Sequence, residues 1–242
     1  MTVRFRGTKA LIAGAAVTAA SLAFAPAASA ATVKLDYQGT NAWGDPAWAK
    51  SVSYTLVDGG TTYNRTHGAG LFRLEETGTG REILAWCIDL LQVLTLPDDH
   101  DTSVTVANAG QLSNIDKLFT SAYSAVNSAV TAAAFQLALW EIMTDTGSTN
   151  GLNLANGNFR TTGTSDKYTV AQGYLNGLAT AGTGGYTLTT LYSGNSQDLV
   201  TASQVRDDQN EPPAPVPLPA GGLLLLTGLA GVGALRRKRR TA

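Results

Sequence analysis

The chain reads as a mostly β fold, sandwich or barrel-like, with an inserted helical section and a single C-terminal transmembrane helix. Three observations predict this. Short segments that alternate apolar and polar residues, punctuated by glycine turns, fill the region after residue 31 and return near 184–194. Between them, residues 111–143 and 165–178 have helical composition. Near the end, Ala220 to Leu235 carries no charge across 16 residues and is followed by Arg236, Arg237, Lys238, Arg239 and Arg240.

The first element is not part of the fold. Arg4, Arg6 and Lys9 precede an alanine-rich apolar run, and Ala28-Ser29-Ala30 is a small-residue cleavage signature. Residues 1–30 are therefore read as a secretory signal peptide. A first strand follows in ATVKLDYQG, and Gly44, Asp45 and Pro46 break the chain. KSVSYTLVDGG alternates Val52, Tyr54 and Leu56 and stops at a Gly-Gly turn. GAGLFRLEETGTG is a strand ending in a turn. EILAWCIDLLQVL is the most apolar strand candidate, with Ile83, Ala85, Cys87, Asp89 and Leu91 on one face and Leu84, Trp86, Ile88 and Leu90 on the other. PDDHDTSVTV supplies an acidic loop and a short strand. Helices are expected near 111–120 and 127–143, then after a Gly/Asn-rich loop from Ser165 or Asp166 to about Leu178. GGYTLTTLYSG closes the body as a strand, so the body spans 31–200. Residues 201–215 are acidic, then proline-rich, and read as a spacer.

Charge separates these parts. Of 17 Lys and Arg, three lie in the signal and five in the terminal cluster, while all 18 Asp and Glu fall between Asp36 and Glu211. The body is thus anionic, which argues against a nucleic-acid partner, whose phosphates need basic contacts. The terminal basic cluster is read as a stop to membrane transfer, at the end of an apolar stretch slightly short of the ~20 residues of a full span.

Val216, Pro217, Leu218, Pro219 and Ala220, the apolar run and the basic end together resemble the VPLPA variant of the PEP-CTERM sorting signals of Gram-negative bacteria. The resemblance covers residues 216–242. It implies an exosortase-type membrane processing enzyme as partner. It also implies export through the inner membrane, single-pass anchoring by the tail, and a final place at the cell surface or in the extracellular matrix.

Chemistry in the body centres on its one cysteine. Cys87 cannot form an internal disulfide, and a free thiol outside the cytosol survives when buried or already bonded. It is either a small core hydrophobe or one half of another bond. AAAFQLALWEI, 132–142, is apolar nearly all round, as a buried helix is, with Gln136 as the polar exception. Burying an unpartnered amide costs roughly 1–3 kcal/mol. Gln136 therefore has either a hydrogen-bond partner or a covalent one.

Trp86-Cys87-Ile88-Asp89 matches an aromatic–Cys–x–Asp pattern, and Gln136-Leu137-Ala138-Leu139-Trp140 matches most of a Thr-Gln-x-Ala-x-Trp pattern, with Phe135 in place of the threonine. In this order the two patches resemble the thioester domains of Gram-positive surface adhesins. The resemblance implies a Cys87–Gln136 internal thioester that captures amines from a surface, polysaccharide or protein target. It gives Asp89, Trp86 and Trp140 supporting roles in orienting or shielding the bond, and the missing threonine weakens the orientation of the glutamine. The alternative is a non-catalytic structural component of the envelope or polysaccharide matrix with no thioester.

Other sites find little in the sequence. His67 and His100 stand alone, and no zinc cluster, H-E-x-x-H, G-x-S-x-G or phosphate-binding glycine motif occurs. Asp98, Asp99 and Asp101 lack the spacing of a calcium loop and read as a solvated turn. The reading is a protein that is not an enzyme and needs no cofactor or metal.

Overall fold

The computed structural model describes residues 31–205 apart from Thr162 and Thr164. Nine strands and three helices lie in that range. The strands are β1 (Thr32–Tyr37), β2 (Ala49–Asp58), β3 (Thr61–Gly70), β4 (Phe72–Glu76), β5 (Arg81–Cys87), β6 (Asp98–Asp101), β7 (Phe159–Arg160), β8 (Tyr186–Leu191) and β9 (Leu199–Gln204). The helices are α1 (Ala109–Ala122), α2 (Ala129–Asp145) and α3 (Asp166–Gly177).

Six strands form one sheet in the order β6-β1-β4-β5-β9-β8. Its two edges meet, because Asp101 and Tyr192 exchange backbone hydrogen bonds of 2.8 and 3.0 Å. The sheet is therefore half-way to a barrel, and the contact leaves less open edge. The other three strands, β3-β2-β7, form a second sheet. Both sheets are antiparallel throughout.

The chain passes between the sheets at Gly70–Phe72. Gly70 pairs with Ala49 in the second sheet, Leu71 N–H donates to Trp48 O at 3.0 Å, and Phe72 then pairs with Ala85 in the first. This crossing needs glycine: a Cβ on Gly70 would lie 2.0 Å from Trp48 O and 2.6 Å from Ala49 Cα.

Helix α2 is central. Its start is fixed by a capping box, in which Ser128 accepts from Thr131 N–H and Thr131 Oγ1 accepts from Ser128 N–H. Every residue from Ala132 to Ile142 is buried, as expected of a helix apolar all round. It packs on β2, β3 and the end of β5, with α1 and α3 on its other sides.

The sequence placed β1, β2, β4, β5 and all three helices within a few residues of where they lie. Four expectations are corrected. First, β3 forms from TTYNRTHGAG, an exposed polar strand that apolar alternation does not mark. Second, β9 continues the folded body to Gln204, into the segment read as spacer, because Leu199 and Val200 pair with Cys87 and Trp86 and are buried. Third, Asp98–Asp101 is a strand paired with β1 rather than a solvated turn. Fourth, the fold class included a transmembrane helix, and among the described residues no helix is long and apolar enough to cross a membrane. The membrane helix and the single-pass anchored localisation thus have no support among the described residues and are not carried further. The signal peptide, the Val216–Ala220 motif, the apolar run and the cluster from Arg236 to Arg240 lie outside the described residues.

Candidate functional site

Strand β5 ends at Cys87, and the way it ends creates the site. On one side, Ile88 N–H donates to Asp198 O at 3.0 Å, beyond the β9 pairing. Backbone groups alternate sides along a strand, so Cys87 presents its own N–H and C=O to the opposite side. There β4 begins only at Phe72, opposite Ala85, and leaves no strand residue across from Cys87.

Gln136 fills that gap. Cys87 N–H donates to Gln136 Oε1 at 3.1 Å, and Gln136 Nε2 donates to Cys87 O at 2.7 Å. The amide acts as one residue of a surrogate strand. Both of its polar ends are satisfied although Gln136 is buried.

The Cys87 thiol is free and buried, and Sγ–H donates to Asp89 O at 2.8 Å. Burial pushes the thiol up to about 12. The indole of Trp140 and the Asp89 backbone oppose the shift, while the Asp89 and Asp198 carboxylates add to it. Trp140 Nε1 is buried without a hydrogen bond of full geometry, yet it sits close enough to the sulfur to favour the thiolate.

Cys87, Asp89, Gln136 and Trp140 line one cavity of about 470 Å³. Its other walls mix the aromatic rings of Tyr37, Trp43, Tyr54 and Phe72 with aliphatic and small polar residues, and none of its lining residues is Lys or Arg. Asp89 reaches it differently from expected. The strand has ended, so face alternation does not place it; its Oδ1 instead accepts from Leu91 and Gln92 N–H and shapes the turn.

Trp86 is not at the cavity. It is fully buried on the other side of the strand, with its ring 4.5 Å from that of Phe135. Phe135 also meets Phe119 at 4.9 Å and Tyr123 at 5.6 Å. The phenylalanine that replaces the expected threonine therefore belongs to an aromatic core and does not touch the glutamine's cavity. Its size is set by packing.

Two residues at the site were not singled out as site residues in the sequence. Tyr54 Oη lies 3.0 Å from His67 Nδ1, and both line the cavity. The signal was present in the Gly59-Gly60 turn. A two-residue hairpin loop fixes the register, pairing Asp58 with Thr61 and hence Val52 with His67 and Tyr54 with Arg65. Tyr54 and His67 are then diagonal neighbours on one face. His100, by contrast, is fully buried and its Nε2 lies 3.2 Å from Gln197 O, so it is a core residue. Among the described residues no group of three or more His, Cys, Asp or Glu is placed to hold a metal.

No family model matches the chain, and no curated protein does. Among solved structures it is similar to the N-terminal thioester domain of a surface protein from Clostridium perfringens, at 12% sequence identity and a TM-score of 0.34. The likeness covers 64% of this chain and all of that domain. It is a weak, low-identity resemblance to a thioester domain of a bacterial surface protein.

Proposed function

We propose that the chain is a surface- or matrix-associated binding protein that captures amines covalently through an internal thioester between Cys87 and Gln136. One observation carries this reading: the amide of Gln136 is held against the backbone of Cys87 by two hydrogen bonds, at the foot of a cavity. The Cys87 N–H on Oε1 polarises the amide carbonyl and would hold the negative charge that develops on Oε1 when the carbon is attacked. In bond formation the sulfur joins the amide carbon, the C–N bond breaks, and the nitrogen leaves as ammonia with the thiol proton. An incoming amine then attacks the same carbon, and the sulfur returns as a thiol. The event occurs once per molecule.

The same two hydrogen bonds favour a second reading. They satisfy the buried amide with no covalent chemistry, which suits a structural component of an envelope or polysaccharide matrix. Intact mass of the purified chain separates the two. The first reading expects a mass one ammonia below that of the sequence, and one methylamine adduct after treatment. A full sequence mass and no adduct would leave the structural reading standing alone. The proposed exosortase-type partner rests on the sequence motif Val216–Ala220. Identical C-termini from cells with and without such an enzyme would remove it.

A further inference from the structure

We infer that the free edge of β3 docks an extended, lysine-bearing segment of a partner protein as a further strand and carries its amine to the cavity. The docking stands on the backbone of β3, and only the delivery of the amine rests on the covalent-capture reading.

The edge follows from the turn before it. Gly59 and Gly60, with φ of 53° and 81°, make a two-residue hairpin loop, so Asp58 and Thr61 form a hydrogen-bonded pair. Such pairs alternate along an antiparallel ladder. Tyr63, Arg65 and His67 therefore bond to β2, while Thr62, Asn64, Thr66 and Gly68 turn their N–H and C=O groups away from it. Among the described residues no backbone group of β3 has a backbone partner outside β2.

Nothing in the strand blunts this edge. β3 pairs with β2 residue by residue without a bulge, and it contains no proline. Its one residue among Asp, Glu, Lys and Arg is Arg65, whose guanidinium lies back over the Tyr63 ring at 5.6 Å. Thr62, Asn64, Thr66 and Gly68 are exposed. A row of unpaired backbone groups of this kind is a template for another strand.

The edge also leads to the site. His67 and Gly68, near its end, line the cavity that holds Cys87 and Gln136. The Trp43 ring lies against Gly68, where a Cβ would meet it at 2.8 Å, and it lines the same cavity. Residues paired across two strands stand side by side on one face. A residue added opposite His67 thus shares its face and turns its side chain toward the cavity. Lysine suits that position: the body is anionic, Asp89 lines the cavity, and no Lys or Arg does. The β3 edge of a second copy offers no such match, since it carries no lysine.

Amide exchange in the full-length chain tests the docking. The probe is a peptide as long as β3 that alternates threonine and valine and carries one lysine. Its control is a copy methylated on every backbone nitrogen, which cannot pair along an edge. The peptide is expected to slow exchange at the N–H groups of Thr62, Asn64 and Thr66 by at least about tenfold. Tyr63 and Arg65, already bonded to β2, should not change. Asn64→Pro removes one outward N–H without touching the β2 ladder and should abolish the slowing at Thr62 and Thr66, whereas Asn64→Ser should keep it. Equal exchange with and without the peptide overturns the docking. So does slowing that grows with the chain's own concentration alone, which would make the occupant a second copy. If Asn64→Pro fails to fold, the methylated copy decides, since equal slowing by it overturns the pairing. Delivery is read by intact mass, with the peptide adding to wild type at least about tenfold faster than its methylated copy. Equal rates overturn delivery. A wild type that has lost no ammonia ends the covalent reading and delivery with it, while exchange at the edge still decides the docking.

Discussion

Gln136 stands in for a missing β-strand residue beside Cys87, exchanging hydrogen bonds of 3.1 and 2.7 Å with its backbone. Because β4 begins opposite Ala85, these two backbone groups have no strand partner on that side. The amide thus ties the central helix to the end of the central strand. Bonding of the sulfur to the amide carbon would expel Nε2 and its hydrogen bond to Cys87 O, and the covalent link would then take over the tie.

Replacing Gln136 by Met keeps the volume and removes both hydrogen bonds. Each buried backbone group left unpaired costs about 1–3 kcal/mol. The variant is expected to unfold at lower denaturant with an unchanged slope, by the sum of two such losses. Equal midpoints for wild type and Gln136→Met would show that the amide does not act as a strand surrogate.

Placing a threonine at position 135 should harm the fold. Phe135 is fully buried against Trp86, Phe119 and Tyr123. Phe135→Thr leaves a cavity and buries a hydroxyl, at a cost of about 3–5 kcal/mol. A thermal melt that stays within a degree of wild type would contradict the packing explanation of this residue.

Glycine substitutions are expected to split by position. Gly70→Ala drives a Cβ into Trp48 O and Ala49 Cα, backbone atoms that cannot swing aside. It should destabilise by about 3–5 kcal/mol and loosen the junction of the two sheets. Gly173→Ala, exposed within α3 with nothing near its Cβ, should stabilise by about 0.5–1 kcal/mol. Denaturant titration of both variants checks the pair, and a common sign would refute the assignment.

What the sequence disclosed follows from which physical signals are local. The buried central helix was legible because Ala132–Ile142 is apolar on every face, and Gln136 stood out against it. Cys87 on the inner strand was legible for the same reason. The polar strand β3 was not, since its outward face carries Thr62, Asn64 and Thr66, its other face includes Arg65 and His67, and its pairing is fixed by the turn before it. With that strand unread, the closeness of His67 to Tyr54 was hidden. The end of β5 at Cys87 was also illegible, because it depends on the chain entering the first sheet from the second only at Leu71 and Phe72. Asp89 was placed by strand alternation that had already ceased. Long-range pairing, rather than periodicity, decided each of these.

Glu141 makes stability depend on pH in a direction opposite to that of a paired carboxylate. It is fully buried on α2; its Oε1 accepts from Asn153 N–H at 2.6 Å, and its Oε2 has no partner. Burial pushes its pKa up to about 8 from 4.5, with the Asn153 N–H opposing and the charge of Asp145 adding. In the unfolded chain the carboxyl ionises near its ordinary value, while in the folded chain it keeps its proton to about 8. Stability from this group is therefore complete below 4.5 and lost as pH rises toward and through 8. Glu141→Gln keeps an acceptor for Asn153 and cannot ionise. It should melt with wild type at pH 5 and above it at pH 9, by at least about 2–4 °C, the shift that ~1 kcal/mol gives a body of this size. The comparison isolates Glu141, because every other titrating group is common to both chains. A gap of equal size at the two pH values would assign the effect to packing and rule out the buried proton.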